Sequence, residues 1–340
     1  MLIMFSLVAT VLNEKRRVSM DGTRHDSVES NNLAEWLGGL LSQSVLPEEI
    51  IIVDGGSVDG TWEYLEQKSR EVSLLRIFQK PGNISVGRNF AIQKASGENI
   101  VVTDAGCSYH PDWFKKISQT LNSSNGKFVA TAFGPWFKKE DSFLTYLIAA
   151  TTIPAPGEFV RGWLPSSRSV AFSKELWQKV GGYPEWLPIC EDVVFDLKIE
   201  KLGIKPELAR EPLVFWRPRT TLVGYFKQLF KYTKSDGHAG LWLHRQLIRY
   251  FTYLVTVVLI YWSFVSNYLW GLLILAGLVI YMRKFWIRWQ VFVQDKSLSY
   301  KLAGLIILPL IIAWGDLAKM CGWPVGVFER WTKKIKFESF

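Results

Sequence analysis

Residues 50–61 combine an apolar run with aspartates and glycines, a composition that can bind a nucleotide. They read Ile-Ile-Ile-Val-Asp-Gly-Gly-Ser-Val-Asp-Gly-Thr, so we expect a buried strand that ends near Asp54. Ligands of open parallel sheets bind at the carboxyl ends of the strands. A glycine such as Gly55 lets a ligand approach the backbone, and a carboxylate can accept hydrogen bonds from a ribose or a base. The pattern predicts a nucleotide pocket or, equally well, a tight strand-to-helix turn capped by Ser57 and Asp59.

The first half of the chain alternates strand-like apolar runs with helical patterns, which predicts an α/β fold. Such alternation is typical of a doubly wound sheet with flanking helices. The predicted strands are 3–11, 50–53, 74–78 and 99–103, and the predicted helices are 33–42, 62–68 and 86–94. Residues 15–30 have no apolar periodicity and carry charges of both signs. We expect a mobile, solvated insert there in preference to a specific binding arm.

The composition indicates a globular protein with an anionic partner. The chain has 340 residues, a net charge of +9 and a pI near 9.3. The length predicts two structural parts, and the charge suits nucleic acid, phosphate or a lipid surface without choosing among them. The apolar opening 1–12 is expected to be a first strand and not a signal peptide. The cysteines and histidines show no disulfide or zinc spacing, which suits a reducing cytosol; they are Cys107, Cys190, Cys321, His25, His110, His238 and His244.

An uncharged apolar stretch predicts a membrane anchor. Tyr250 to Met282 contains no Asp, Glu, Lys or Arg. One helix of that length would be about 50 Å long, so two short spans joined at Ser266-Asn267 fit a hydrocarbon core of about 30 Å better. Both outer ends are expected in the cytosol because they carry the basic residues, which are Arg245, Arg249, Arg283, Lys284 and Arg288.

A third apolar stretch, 302–314, is shorter. Pro309 interrupts it, and Asp316 and Lys319 follow it. We expect a re-entrant or interfacial helix there in preference to a third membrane helix, because a third span would export the basic tail 330–336.

Four segments of the first half occur in an order that is typical of one enzyme family. They are 9–14 (Ala-Thr-Val-Leu-Asn-Glu), 54–61 (Asp-Gly-Gly-Ser-Val-Asp-Gly-Thr), 82–91 (Gly-Asn-Ile-Ser-Val-Gly-Arg-Asn-Phe-Ala) and 103–106 (Thr-Asp-Ala-Gly). Together they closely resemble the motifs of the family 2 glycosyltransferases with the A-type (GT-A) nucleotide-sugar fold. The resemblance covers roughly residues 5–232 and implies a GT-A-like doubly wound mixed sheet with flanking helices. The apolar end of the chain resembles the tail of membrane-attached members.

The resemblance implies a nucleotide-sugar site at the strand ends. Asp54 would read the base, Arg88 would lie close to the nucleotide, and Asp104 would be the first aspartate of the family's Asp-x-Asp metal motif. Gly106 stands where the family has the second aspartate, so Asp104 could hold Mg²⁺ or Mn²⁺ only together with water and diphosphate oxygens; it could instead cap a strand end. The other expected donor contacts are Thr10, Asn13, Glu14, Gly55, Ser57, Ala105 and Gly106.

Glu191 and Asp192 follow a Gly-Gly-Tyr turn and open a predicted helix, which resembles the family's acceptor-site motif. Inverting transfer needs one base to remove the acceptor proton, and we assign that catalytic role to Asp192 with Glu191 beside it. Alternatively, both acids only suit the positive end of a helix. Further expected contacts to the acceptor or the diphosphate are Arg168, Arg219, Gln228, Lys231 and Tyr232, the last three in a variant of the Gln-x-x-Arg-Trp motif of processive members that does not imply processivity.

The sequence therefore predicts an inverting glycosyltransferase that moves a sugar from a UDP- or GDP-type donor to a membrane-presented acceptor, lipid-linked or polysaccharide. We expect a cytosolic catalytic domain over 1–240, a region over 241–340 that anchors it in the cytoplasmic membrane among the lipids, and no nucleic acid partner. The alternative is a catalytically idle nucleotide-sugar-binding homologue or scaffold, for which Gly106 is the best argument. An oxidoreductase fits less well, because no Gly-x-Gly-x-x-Gly follows the first strand.

Overall fold

The computed structural model describes residues 4–15, 32–124, 127–155, 158 and 164–332. The chain divides into two compact units. The first comprises Met1–Phe137, Pro156–Arg217 and Glu338–Phe340, and the second comprises Lys138–Ala155 and Pro218–Phe337. The insert expected at 15–30 lies outside the described residues, apart from Lys15.

The first unit is built on a mixed sheet of eight described strands. They are β1 (Phe5–Val11), β2 (Glu49–Asp54), β3 (Leu75–Gln79), β4 (Asn99–Asp104), β5 (Cys107–Tyr109), β6 (Phe128–Pro135), β7 (Ser169–Ser173) and β8 (Glu207–Trp216). The strand order is β3-β2-β1-β4-β7-β6-β8-β5. Strands β1 to β4 run parallel, and β7 is antiparallel to both β4 and β6. The predicted α/β class and doubly wound mixed sheet are confirmed.

Helices cover both faces of this sheet. Neighbouring residues of β1 enter different apolar clusters, Leu7 one and Val8 the other, because successive strand side chains point to opposite faces. Trp36 and Trp113 fill the first cluster, and Phe195 lies in the second. The flanking helices are α1 (Asn32–Leu41), α2 (Thr61–Glu71), α3 (Ile84–Lys94), α4 (Trp113–Ser123), α6 (Lys174–Lys179) and α7 (Glu191–Lys201), with α5 (Phe143–Thr152) in the second unit.

The second unit is helical in its described part. Besides α5 it contains α8 (Leu222–His238), α9 (Leu243–Val265), α10 (Trp270–Phe292) and α11 (Leu298–Thr332). Helices α9, α10 and α11 are each long and apolar enough to cross a membrane. The turn between α9 and α10 contains Ser266 and Asn267, as predicted for the helical hairpin.

The expectation of a short third apolar helix needs correction. Helix α11 has 35 residues and contains Pro309 and Pro324 in its interior. Asp316 and Lys319 do not end it, because Asp316 is buried and forms ion pairs with Lys319 at 3.1 Å and with Arg249 at 3.2 Å. The helix is therefore long enough to span, whereas the apolar run 302–314 by itself is not.

The division into units differs from the expected boundary at residue 240. Helix α8 belongs to the second unit because it packs closely on α11. A side chain added at Gly322 would meet the carbonyl oxygen of Phe230, and one added at Gly326 would meet that of Lys234. Only glycine permits this approach of the two backbones.

Candidate active site

Three neighbouring strands end together and bring two of the predicted aspartates to one edge of the sheet. In the strand register Val11 of β1 pairs with Asp54 of β2, and Thr10 of β1 pairs with Asp104 of β4. The two acids therefore flank the end of β1. This is the carboxyl edge at which open α/β sheets bind their ligands.

The loops that leave β1 and β2 are joined by hydrogen bonds. The backbone N–H of Asn13 donates to Ser57 Oγ at 2.8 Å, and the Asn13 side-chain oxygen accepts from the N–H of Val58 at 2.9 Å. The N–H groups of Glu14 and Lys15 both donate to Thr61 Oγ1 at 3.0 Å. Asn13 has a left-handed φ of 54°, which asparagine tolerates better than most residues. The expected donor contacts Asn13, Glu14 and Ser57 thus lie together.

Asp54 is fully buried at the base of these loops. Its carboxylate accepts hydrogen bonds from the N–H of Gly56 at 3.3 Å, from the N–H of Ser57 at 3.0 Å and from the Ser57 hydroxyl. Asp59 lies just before α2, whose N-cap residue is Gly60, and accepts hydrogen bonds from the N–H of Thr61 at 3.0 Å and from its hydroxyl at 2.6 Å. A tight strand-to-helix turn is therefore present, but the two expected capping residues do not cap α2, because Ser57 donates to Asp54 and the N-cap position is Gly60. Base recognition by Asp54 stays a prediction.

Arg88 of α3 connects the strand edge to the acidic start of α7. It is 1% exposed; Nη2 forms an ion pair with Asp104 Oδ1, and Nη1 forms one with Glu191 Oε1. The guanidinium also lies 5.2 Å from the ring centre of Tyr183. Burial lowers the pKa of Arg88, but the carboxylates of Asp104 and Glu191 together raise it by more. The net shift is therefore upward, and the side chain stays charged. The contact between Arg88 and Glu191 joins residues that are 103 positions apart in the sequence.

Helix α3 is held against β1 and against the Gly-Gly-Tyr turn. A side chain at Gly87 would meet Thr10 Cγ2 at 2.7 Å, so glycine allows α3 to approach the strand. Asn89 accepts from the N–H of Tyr183 at 2.9 Å and donates to the Tyr183 carbonyl at 2.9 Å. Asn89 and Tyr183 were missed by the sequence reasoning as site residues. Asn89 directly follows Arg88, and Tyr183 directly follows the Gly-Gly turn. These positions in the sequence could have indicated that both residues belong to the site.

Glu191 and Asp192 occupy the first turn of α7 and have different environments. Burial raises the pKa of Glu191 to about 7, although the neighbouring Arg88 lowers it. Asp192 is only partly buried, and its Oδ2 lies 3.4 Å from Ser166 Oγ. Both acids also suit the positive end of the helix. Of the two, Asp192 is the more accessible carboxylate.

A further carboxyl group, Asp196, lies one turn along α7 and was not among the expected site residues. It is 3% exposed, and its Oδ2 has no hydrogen-bond partner among the residues that the structure describes. Burial and the nearby Asp192 carboxylate raise the pKa of Asp196 well above its ordinary range. The spacing of four residues from Asp192 would have placed both on one helix face.

Arg168 lies close to the end of β4 and to Asp192. Its backbone oxygen accepts from Thr103 Oγ1 at 2.8 Å, next to Asp104 in β4. Its Nη1 donates to Ser166 Oγ at 3.1 Å, the hydroxyl that also lies beside Asp192. The guanidinium is 4.6 Å from the ring centre of Trp216, so its plane is supported by an aromatic side chain.

The remaining expected contacts have other positions. Ala105 and Gly106 form the turn that links β4 to β5. Arg219, Gln228, Lys231 and Tyr232 belong to the second unit, where Gln228 donates to the Tyr232 hydroxyl at 3.0 Å within α8. Their proximity to a ligand stays a prediction. In the part of the chain that the structure describes, no group of three His, Cys, Asp or Glu residues is arranged to hold a metal ion.

Comparisons with known proteins bear on this site. Residues 28–159 match the family model of glycosyl transferase family 2. The succinoglycan biosynthesis protein ExoA of Rhizobium meliloti (strain 1021) is 24% identical over 208 residues, which are 57% of this chain and 61% of that protein. The cholesterol galactosyltransferase of Borreliella burgdorferi is 28% identical over 111 residues, which are 31% of each protein. The chain thus spans less than two thirds of the length of these relatives.

The fold also has solved counterparts. The mannosyltransferase PcManGT from Pyrobaculum calidifontis, solved in complex with GDP-Man and Mn²⁺, aligns with a TM-score of 0.53 and 15% sequence identity. The alignment covers 98% of this chain and 88% of that one. At this identity the likeness concerns the fold alone, which is the GT-A arrangement of a mixed sheet with flanking helices.

Proposed function

We propose that the protein transfers a sugar from a nucleoside diphosphate sugar to an acceptor presented at a membrane, because residues 28–159 match the family model of glycosyl transferase family 2. The observation that carries the proposal is the position of Arg88. It links Asp104 at the strand edge, where a donor would bind, to the turn of α7 that contains Asp192. One buried side chain thus connects the proposed binding edge for the nucleotide sugar to the helix turn that carries the proposed base.

The reaction that suits this geometry is a single displacement with inversion. An acceptor hydroxyl oxygen forms a bond to the anomeric carbon, and its proton passes to the Asp192 carboxylate. The bond from that carbon to the donor phosphate breaks, and its electron pair stays on the released nucleoside diphosphate. Asp192 suits the role of base because it is partly exposed, whereas Glu191 is buried against Arg88.

The donor's nucleotide would occupy the joined loops after β1 and β2. The Asp54 carboxylate lies at the end of β2, and the backbone of Gly55 is close to it. A donor of the UDP or GDP type is consistent with a carboxylate that accepts hydrogen bonds from a base. The residues proposed to contact the nucleotide sugar are Thr10, Asn13, Glu14, Asp54, Gly55, Ser57, Arg88, Asp104, Ala105 and Gly106.

The acceptor is proposed to be lipid-linked or a growing polysaccharide at the cytoplasmic membrane. Three described helices are long and apolar enough to cross a bilayer. The name of the Rhizobium relative concerns succinoglycan biosynthesis, and that of the Borreliella relative concerns cholesterol. Basic residues in the first turns of α9 and in the second half of α10 support a cytosolic catalytic unit. Arg219, Gln228, Lys231 and Tyr232 are proposed to contact the acceptor or the diphosphate.

The test is a donor screen on the full chain in detergent, with lipid extract as acceptor and released nucleoside diphosphate as the readout. Asp192→Asn should lower release by about 10²–10⁴-fold, because the base is lost, while UDP or GDP binding by calorimetry stays the same. Glu200→Gln, exposed on the same helix, is the matched control and should keep full activity.

Two outcomes would contradict the proposal. Full transfer by the Asp192→Asn variant would exclude Asp192 as the base. Donor binding by the unaltered chain without any release would favour the idle homologue or scaffold.

A further inference from the structure

The position where the family has its second metal-binding aspartate has a structural role in this chain. Gly106 has a φ of +79° in the turn between β4 and β5. This left-handed region favours glycine, because a Cβ would be strained there. The conformation of the turn therefore explains why a glycine is present at position 106. A glycine has no side chain that could bind a metal ion.

The first aspartate of the motif is also engaged by a cation of the protein. Asp104 Oδ1 is paired with Arg88, and the same guanidinium is paired with Glu191. A buried, permanently charged side chain thus lies between two carboxylates that could otherwise approach a metal together. Mg²⁺ needs near-octahedral oxygen ligands. In proteins one or two carboxylates usually hold the ion together with waters and substrate phosphates; here Gly106 supplies no carboxylate and the Asp104 carboxylate is already paired with Arg88, so the side chains at this edge fit such a site poorly.

Arg168 is the cation best placed to take over the charge of a diphosphate. Its backbone is hydrogen-bonded beside Asp104, and its side chain reaches Ser166 on the side of Asp192. It therefore lies between the proposed donor edge and the proposed base. The Trp216 ring holds the guanidinium plane, and a planar guanidinium can donate two parallel hydrogen bonds to phosphate oxygens.

We propose that this chain binds and cleaves its donor without a divalent metal, and that Arg168 offsets the negative charge that develops on the released diphosphate. The inference rests on the proposed function and deepens it. As the bond between the anomeric carbon and the phosphate oxygen breaks, its electron pair adds charge to the diphosphate. A preoriented cation stabilises that charge more in the transition state than in the bound donor.

The experiment uses the full chain in detergent and measures two quantities in EDTA, in Mg²⁺ and in Mn²⁺. Calorimetry measures the affinity for UDP and GDP. The rate of nucleoside diphosphate release is measured with the donor that the screen identifies. We expect affinity and rate in EDTA to stay within about twofold of the values in metal. Binding or release that requires metal would overturn the inference and leave the proposed function standing.

The part played by Arg168 is tested by substitution. Arg168→Gln should lower kcat by about 10²–10³-fold, the loss typical for a removed transition-state donor. Arg168→Lys should restore part of it, because the charge returns without the planar pair of donors. Arg76→Gln is the matched control; Arg76 also lies over an aromatic ring, that of Phe78, but its partner Glu49 is at the start of β2, the opposite end from the site.

The outcomes separate the two proposals. A kcat of the Arg168→Gln variant equal to that of the Arg76→Gln variant would exclude Arg168. If the unaltered chain neither binds nor cleaves any donor under any metal condition, the proposed function itself fails.

Discussion

Two buried clusters of acidic and basic side chains, one in each unit, are built in opposite ways. In the first unit a single cation, Arg88, is paired with Asp104 and Glu191, and the nearby Asp192 carboxylate also raises the pKa of Arg88. In the second unit a single acid, Asp316, is paired with two cations, Arg249 and Lys319. Acids exceed cations in one cluster, and cations exceed acids in the other.

The hydrogen bonds of the two clusters differ as well. Asp316 Oδ2 accepts from the hydroxyl of Tyr253 at 3.2 Å and from that of Tyr281 at 2.8 Å, so residues of α9 and α10 meet one carboxylate of α11. Its demand for partners is satisfied, which is typical of a structural contact between helices. The Arg88 cluster instead contains a carboxyl group with a strongly raised pKa, which is typical of functional sites. The difference suggests chemistry at Arg88 and assembly at Asp316.

The largest effect is expected from Arg88→Met. The substitution leaves the buried Glu191 carboxylate and the partly buried Asp104 carboxylate without Arg88, and removing one partner of a buried ion pair costs about 3–5 kcal/mol. Thermal unfolding in detergent should show a large fall in Tm together with loss of nucleotide binding. Arg70→Met is the control, since Arg70 and Glu66 are 74% and 49% exposed and such pairs contribute about 0–1 kcal/mol. Equal shifts for the two variants would contradict the assigned importance of Arg88.

A smaller effect is expected from Asp316→Asn. The amide keeps part of the hydrogen bonding to Tyr253 and Tyr281 but loses the ion pairs, so we expect about 1–3 kcal/mol of lost stability. Arg249 and Lys319 are 19% and 24% exposed, so neither is left fully buried without its partner, which limits the loss. The Tm should fall while donor binding by the sheet unit is kept. Asp295→Asn, at a 71% exposed acid, is the control. Loss of donor binding without loss of Tm would give the Asp316 cluster a functional role.

The smallest effect is a pH dependence that only the first cluster should show. The folded pKa of Glu191 is raised to about 7 from an ordinary 4.5. Its contribution to stability is thus fully present below about pH 4.5 and is lost as the pH rises through about 7. Glu191→Gln should flatten the fall in Tm between pH 5 and pH 8, and Asp316→Asn should leave it unchanged. An unchanged slope in the Glu191→Gln variant would show that Glu191 is already ionised at pH 5.

Strands β1 to β4 were predicted, because apolar periodicity is a local property, whereas β5 to β8 of the described sheet were not. The strands expected at 50–53 and 99–103 are observed as Glu49–Asp54 and Asn99–Asp104. The helix boundaries were off by a few residues where capping decided them; α3 begins at Ile84 because the Asn83 side chain accepts from Val86 N–H. The length of α11 could not be predicted, because it depends on partners that Asp316 finds on other helices.

By itself, the sequence determined that Asp54 and Asp104 each end a strand, because apolar runs set where strands stop, and parallel strands end at one edge of a sheet. It also determined the apolar helices near the end of the chain, because composition alone sets them apart. Only the tertiary structure decided that Arg88 would pair with both Asp104 and Glu191, and that Arg168 would lie beside Asp192. Those contacts join distant segments, and they depend on how α3 and α7 pack on the sheet and not on any local pattern.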